Sequence, residues 1–158
     1  RINALRKNHA LEHATIALLL PRLGGKVHLI GHAGLTGFYI YGDIPTNILE
    51  KSAHEALRRL HEGEKDLAVS SMCGTNLVVT GLATGIASLI AGRGHSGSGK
   101  FSRVIKASIV AALIAQPLGR LAQKHVTTVS DLDDVSIVRV VRTGKGKRTR
   151  HKVEVLRS

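Results

Sequence analysis

"NLVVTGLATGIASLIAG", residues 76–92, decides the class of this chain. It is the apolar end of 26 consecutive residues, between Asp66 and Arg93, that carry no charge. After the glycine- and serine-rich "RGHSGSGK" comes a second apolar run, "VIKASIVAALIAQPLG", with Lys106 near its start. A helix needs about 20 apolar residues to cross a hydrocarbon core of about 30 Å. The first run reaches that length. The second is marginal, and Lys106 is placed where a lysine can snorkel. Small residues recur every four positions, at Gly81 and Gly85, Ala83 and Ala87, then Ala107, Ala111 and Ala115. That spacing lets two helix backbones approach closely in lipid, where apolar burial gives no drive. The expectation is a transmembrane helical hairpin over 76–92 and 104–119. Its competitor is a hairpin buried inside a soluble protein.

On either side the chain reads as mixed helix and strand. Residues 3–20 have a helical pattern, closed by Pro21 and the Gly24-Gly25 pair. "KVHLIGHAGLTGFYIYGDIP" reads as two short strands, over 27–30 and 37–41, joined by a glycine-bearing turn. Asp43 and Pro45 open a second helix. In it Ile48, Leu49, Ala53, Ala56, Leu57 and Leu60 fall at helical spacing, and Gly63 stops it. "LAVSSM", residues 67–72, suggests a third strand. Beyond Gln123, "SIVRVVRT", "GKGK" and "RTRHKVEVLR" alternate with period two around a Gly-Lys turn, which is a β-hairpin pattern. The expected fold class is α+β. Residues 1–75 and 120–158 would complete one small mixed domain, and the apolar hairpin of 76–119 would be inserted between them.

The chain of 158 residues has a net charge of +12, unevenly placed: +2 over residues 1–75, +4 over 76–118 and +6 from Gly119 onward. A basic tail beside apolar segments suits anionic lipid headgroups. Nucleic-acid binders usually interleave aromatics or Arg-rich recognition helices with their charge. Here aromatics are 3% and Trp is absent, so nucleic acid is not the expected partner. Partner membrane helices, or a second copy of the chain, would suit the small-residue faces. The positive-inside rule favours the larger basic mass over the turn with Arg93, Lys100 and Arg103. That places the soluble part and both termini in the cytoplasm. The first residue is Arg1 rather than Met, so an upstream segment or targeting signal stays an open expectation. The single cysteine, Cys73, excludes an intrachain disulfide framework and implies a reducing compartment or a thiol with another task.

The chemistry-bearing stretch is "RKNHALEHATIALLLP", residues 6–21. His9 and His13 are four apart and stack on one helix face, with Glu12 at its edge. Two imidazoles at this spacing can chelate one metal ion, leaving the carboxylate to handle a bound water. The pattern is H-x-x-E-H, the inverted form of the zinc-protease helix. With few protein ligands a position stays open for water, whose pKa the ion lowers and whose proton Glu12 would take. The bland alternative is a histidine-rich face at a membrane interface, with Glu12 paired to Arg6 or Lys7.

A third ligand is needed. Cys73, in "MCGTN" just ahead of the first apolar run, would place a thiolate at the membrane boundary, although a lone cysteine is ordinarily a small buried hydrophobe. His32 lies in "IGHAG". His54 and His61 share a face of the second helix with Glu50, which equally describes a solvated surface. His125 opens "HVTTVSDLDD", whose three aspartates could bind a cation or simply form a loop. "GHSGSGKF", residues 94–101, imitates a phosphate-binding loop. Phe101 stands where the magnesium-binding Ser or Thr belongs, and no strand precedes it, so nucleotide binding is rejected.

With "NHALEHATI" followed by "CGTN" and the apolar hairpin, the chain resembles an uncharacterised family of small bacterial membrane proteins, from cyanobacteria and Chloroflexi-type bacteria, classed as a domain of unknown function. The resemblance runs from His9 to "HVTT". More distantly, the chain is similar to predicted metal-dependent membrane enzymes that carry an H-G-A-E-H-K helix and a later C-G-T-S segment. This second resemblance maps onto His9, Glu12, His13 and Cys73-Gly74-Thr75. A His-Pro pair often precedes the cysteine segment there, whereas Ser70-Ser71 stands here, so a ligand contributed by that histidine is lost or replaced. Together these features predict a zinc-type site of His9, His13 and Cys73 with Glu12 as general base, for hydrolysis of a membrane-proximal peptide or amide. The rival expectation is a non-catalytic membrane subunit or scaffold.

Overall fold

The computed structural model describes residues 1–25, 27–70, 73–93, 98–129 and 131–158, without the side chains of Ser98 and Lys147. The chain is an α+β protein that divides into two compact units. Arg1–Ser70 with Thr127–Ser158 form the first, and Ser71–Val126 the second.

The first unit opens with helix α1, Ile2–Arg22. Pro21 lies in its last turn, and Gly24 and Gly25, at φ +73° and +71°, end it as the Gly25 N–H closes on the Leu20 carbonyl. Strands β1 (Ile30–Gly34) and β2 (Gly37–Tyr41) follow, then helix α2 (Thr46–His61) and a 3₁₀ turn, Lys65–Ala68. After the second unit the chain returns through β3 (Val135–Thr143) and β4 (Arg150–Arg157). The four strands form one antiparallel sheet of order β1-β2-β4-β3, so both ends of the chain share it. A bulge falls between Ile137 and Arg139.

The core lies between the helices and one sheet face. Leu11, Ala14 and Leu19 of α1 meet Leu49, Ala53, Ala56 and Leu60 of α2, with Phe38, Ile40, Val153 and Val155 beneath them. Period-two alternation sends Phe38 and Ile40 inward and Tyr39 and Tyr41 to the opposite face. Truncating a buried aromatic such as Phe38 to Ala costs about 3–5 kcal/mol.

Two local expectations are corrected. The first strand is not 27–30 but Ile30–Gly34, so His32 stands in a strand rather than a turn. Pairing decides this: Gly34 opposes Gly37, which leaves only Leu35 and Thr36 as the turn. Residues 67–70 form no strand. Leu67 and Ala68 belong to the 3₁₀ turn, and Ala68 is buried in the core; Ser71 and Met72 lie outside the described residues. A short apolar run suits a buried turn as well as a strand.

The second unit is an antiparallel pair of helices, α3 (Gly74–Gly92) and α4 (Ser98–Ala122), continued by a π-helical turn, Gln123–Thr127. Both helices outrun the apolar segments read from sequence, and α4 takes up part of the expected turn, the rest of which (94–97) lies outside the described residues. The Ser88 and Ser108 hydroxyls share a hydrogen bond of 2.8 Å between the helices. Both helices are long and apolar enough to cross a membrane. Leu77, Leu82 and Leu89 of α3 and Leu113 of α4 are 64–75% exposed, which is opposite to the soluble buried hairpin.

Candidate metal centre

Helix α1 carries His9 and His13 on the face that its 3.6-residue period assigns them, with ring centroids 4.3 Å apart and planes inclined by 60°. Each ring is held from behind by a backbone carbonyl. His9 Nδ1 lies 3.1 Å from the oxygen of Thr127, and His13 Nδ1 lies 2.8 Å from that of Ala68. A carbonyl oxygen only accepts, so both Nδ1 atoms carry the proton. In the neutral rings the lone pair is therefore on Nε2. This is the arrangement that metal-ligating histidines use to fix tautomer and ring orientation. His13 is buried and His9 partly so. Neither carbonyl was legible in the sequence, because the two lie 55 and 118 residues from their partners.

Glu12 is buried and packs against β1. A Cβ at Gly31 would overlap its carboxylate and come within 2.8 Å of Ile16 Cδ1, so any side chain there has to push both away. The "IGHAG" stretch held that signal as a glycine, without showing what it faces. Of the cations near Glu12 in sequence, Lys7 pairs with Asp134 at 2.5 Å, and Arg6 donates to the Thr128 carbonyl at 3.4 Å. The Lys7 ammonium holds the Asp134 carboxyl below its usual range.

Cys73 belongs to the second unit, where it caps α3. Its Sγ accepts the Thr75 N–H at 3.4 Å, and the residue is buried. The other candidate ligands go elsewhere. His32 projects from β1 beside Tyr39, with ring centroids 6.4 Å apart. His61 Nε2 is tied to the Leu132 carbonyl at 2.9 Å. Among the described residues Glu50, His54 and His61 form no group of potential ligands, and neither do the aspartates at 131, 133 and 134. His125 lies in the π-helical turn after α4.

The family model for a domain of unknown function, DUF6391, matches residues 4–140. An uncharacterised protein of Picosynechococcus sp. strain PCC 7002 is 32% identical over 142 residues, which cover 82% of this chain and 68% of that protein. No solved structure matches. The family match spans α1, the helical hairpin and the start of β3, and the chain belongs to the DUF6391 family.

Proposed function

We propose that the protein is an integral membrane hydrolase of the metal-dependent, zinc type, acting on a peptide or amide close to the bilayer. His9 and His13 would be ligands through Nε2, Cys73 the third ligand, and Glu12 the general base. The observation that carries this reading is the pair of Nδ1–carbonyl contacts, which turns two Nε2 lone pairs outward from one helix face. Two imidazoles and a thiolate are a donor set that suits zinc. Cys73 follows Ala68, the residue bonded to His13, by five positions, about 18 Å of fully extended chain. The N-terminus of α3 also favours a negatively charged sulfur.

A divalent ion held by His9, His13 and Cys73 would supply Lewis acidity and make a water molecule a stronger nucleophile near neutral pH. The chain's own contribution is to fix both ring tautomers and to keep Glu12 on the rigid backbone of β1. A carboxylate so placed takes the proton of the attacking water and can return it to the leaving amine. The length and exposure of α3 and α4 support insertion in the cell membrane. The basic tail favours a cytoplasmic soluble part facing anionic headgroups.

Elemental analysis of detergent-purified protein, prepared without chelator, tests this reading. Wild type should hold about one zinc per chain, and His9→Ala and His13→Ala should each reduce it to background. Wild type without stoichiometric transition metal would remove the site. A second reading, a non-catalytic membrane subunit packing on partner helices or on its own copy, is favoured by the exposed aliphatic surface of α3 and α4. It predicts co-purification with a partner and no hydrolysis.

A further inference from the structure

One face of the sheet is covered by the core; the other carries both tyrosines of the protein. Strand register sets its residues in rows across all four strands. One row runs His32, Tyr39, Lys152, Val141, and the next Ile30, Tyr41, Arg150, Thr143. The Tyr39 and Tyr41 rings lie 6.5 Å apart, and Lys152 Nζ is 6.0 Å from the centre of Tyr39. A third row brings Arg139 beside Glu154, whose carboxylate also accepts from Lys152 at 2.9 Å. These two cations hold the Glu154 carboxyl down to about 2. With Arg150 included, the face keeps a net positive charge. Its rim is apolar: Ile30 is 69% exposed, Leu156 62% and Val138, at the bulge, 58%.

We propose that this open sheet face is an interfacial surface for anionic phospholipid headgroups, with Tyr39, Tyr41 and the aliphatic rim entering the headgroup layer and Arg139, Arg150 and Lys152 meeting the phosphates. The proposal deepens the membrane reading above and rests on it. Tyrosine is amphipathic, with a ring that suits the acyl boundary and a hydroxyl that suits water, and it concentrates at bilayer interfaces for that reason. Lysine and arginine beside such rings gain from the negative surface potential of an anionic leaflet. Single-stranded nucleic acid could stack on the same rings, but it would leave Ile30, Val138 and Leu156 in water. A lipid interface covers rings, cations and rim together.

Composition makes the test specific. Tryptophan is absent and the two tyrosines are Tyr39 and Tyr41, so tyrosine emission reports on this face alone. The full chain is reconstituted into vesicles of phosphatidylcholine, with and without phosphatidylglycerol, containing a headgroup spin-labelled lipid as quencher. Quenching should be about twofold stronger in the anionic vesicles and fall back at high salt. The double variant Arg150→Glu/Lys152→Glu should lose that increment while the tyrosine signal and carbonate-resistant membrane retention persist. Equal quenching in both lipid compositions, with iodide in the water reaching the tyrosines equally, would overturn the proposal. So would protection from iodide by a single-stranded oligonucleotide but not by anionic lipid. Extraction by carbonate with the anionic quenching intact would remove the integral-membrane reading and leave the sheet face standing.

Discussion

The carboxylate of Glu12 packs on the backbone of Gly31, so closely that a methyl group at position 31 would overlap it. A helix residue and a strand residue thus define each other's position. Gly31→Ala must displace either the carboxylate or the strand, and overpacking of this kind costs about 1–3 kcal/mol. On the proposed mechanism the variant should melt earlier, keep its metal and lose hydrolysis, because the substitution displaces the carboxylate and leaves both histidines in place. Pairing it with Glu12→Ala should recover part of the stability. A double-mutant cycle with no coupling would show that the two residues do not act together.

Glu12→Gln preserves size but cannot accept a proton. It should retain zinc and lower turnover by about 10²–10⁴, the usual range for a general base. Cys73→Ser should instead weaken zinc affinity with Glu12 intact, since a hydroxyl is a far poorer ligand than a thiolate. Metal titration against a competing chelator separates the two variants. Unchanged affinity in Cys73→Ser would remove that residue from the ligand set.

Arg157, at the end of β4, ties the C-terminal strand to the first helix. Its guanidinium donates to the Asn8 side chain at 2.6 Å and to the carbonyls of Ala4 and Leu35 at 3.2 and 3.0 Å. Asn8, fully buried, passes the connection on to the Gly34 carbonyl at 2.6 Å. Arg157→Met should destabilise the first unit by about 2–3 kcal/mol, the scale of charged hydrogen bonds left unmade. Thermal or denaturant unfolding in detergent measures this, and metal content at low temperature should not change.

The Ser88–Ser108 bond joins two apolar helices, and in the proposed bilayer setting lipid would offer neither hydroxyl an alternative partner. Ser88→Ala should nevertheless cost only about 0.6 kcal/mol, rising to about 1.7 at most. Serines in membrane helices also bond their own backbone, as Ser88 does to Thr84 and Ser108 to Val104. Unfolding by mixed detergent micelles reads out the difference.

His151 is fully buried on the core face of β4, between Ile40 and Arg142 in the neighbouring strands, and shares a hydrogen bond of 3.1 Å with the Thr46 hydroxyl. Burial pushes its pKa below the ordinary histidine value, helped by the Arg142 charge and partly opposed by Asp43. The unfolded chain therefore binds the proton first. The contribution of a neutral His151 to stability is complete above about pH 6.5 and is lost as pH falls toward the lowered native value. His151→Gln should flatten that limb of the stability curve. Comparing the two curves isolates the contribution of His151.

Local geometry was legible in residues close in sequence. The helical period alone put His9 and His13 on one face, and five of the six apolar positions read in α2 are buried. Alternation around the Gly-Lys turn predicted the β3–β4 hairpin. Strand register was less legible, because "IGHAG" shows glycines where either a turn or a strand can form. Only the pairing of β1 with β2 chooses between them.

By itself, then, the sequence determined the helical hairpin of α3 and α4, the amphipathic α2, the C-terminal strand pair and the i, i+4 histidines, since each follows from backbone periodicity over a few residues. Tertiary structure decided which nitrogen of His9 and of His13 is protonated, that the Glu12 carboxylate fills the space beside Gly31, and that Tyr39 stands beside Lys152. Those relationships join residues from 19 to 118 positions apart. Their geometry comes from packing α1 against β1, the 3₁₀ turn and the segment at Thr127, and from long-range strand pairing, which no local pattern encodes.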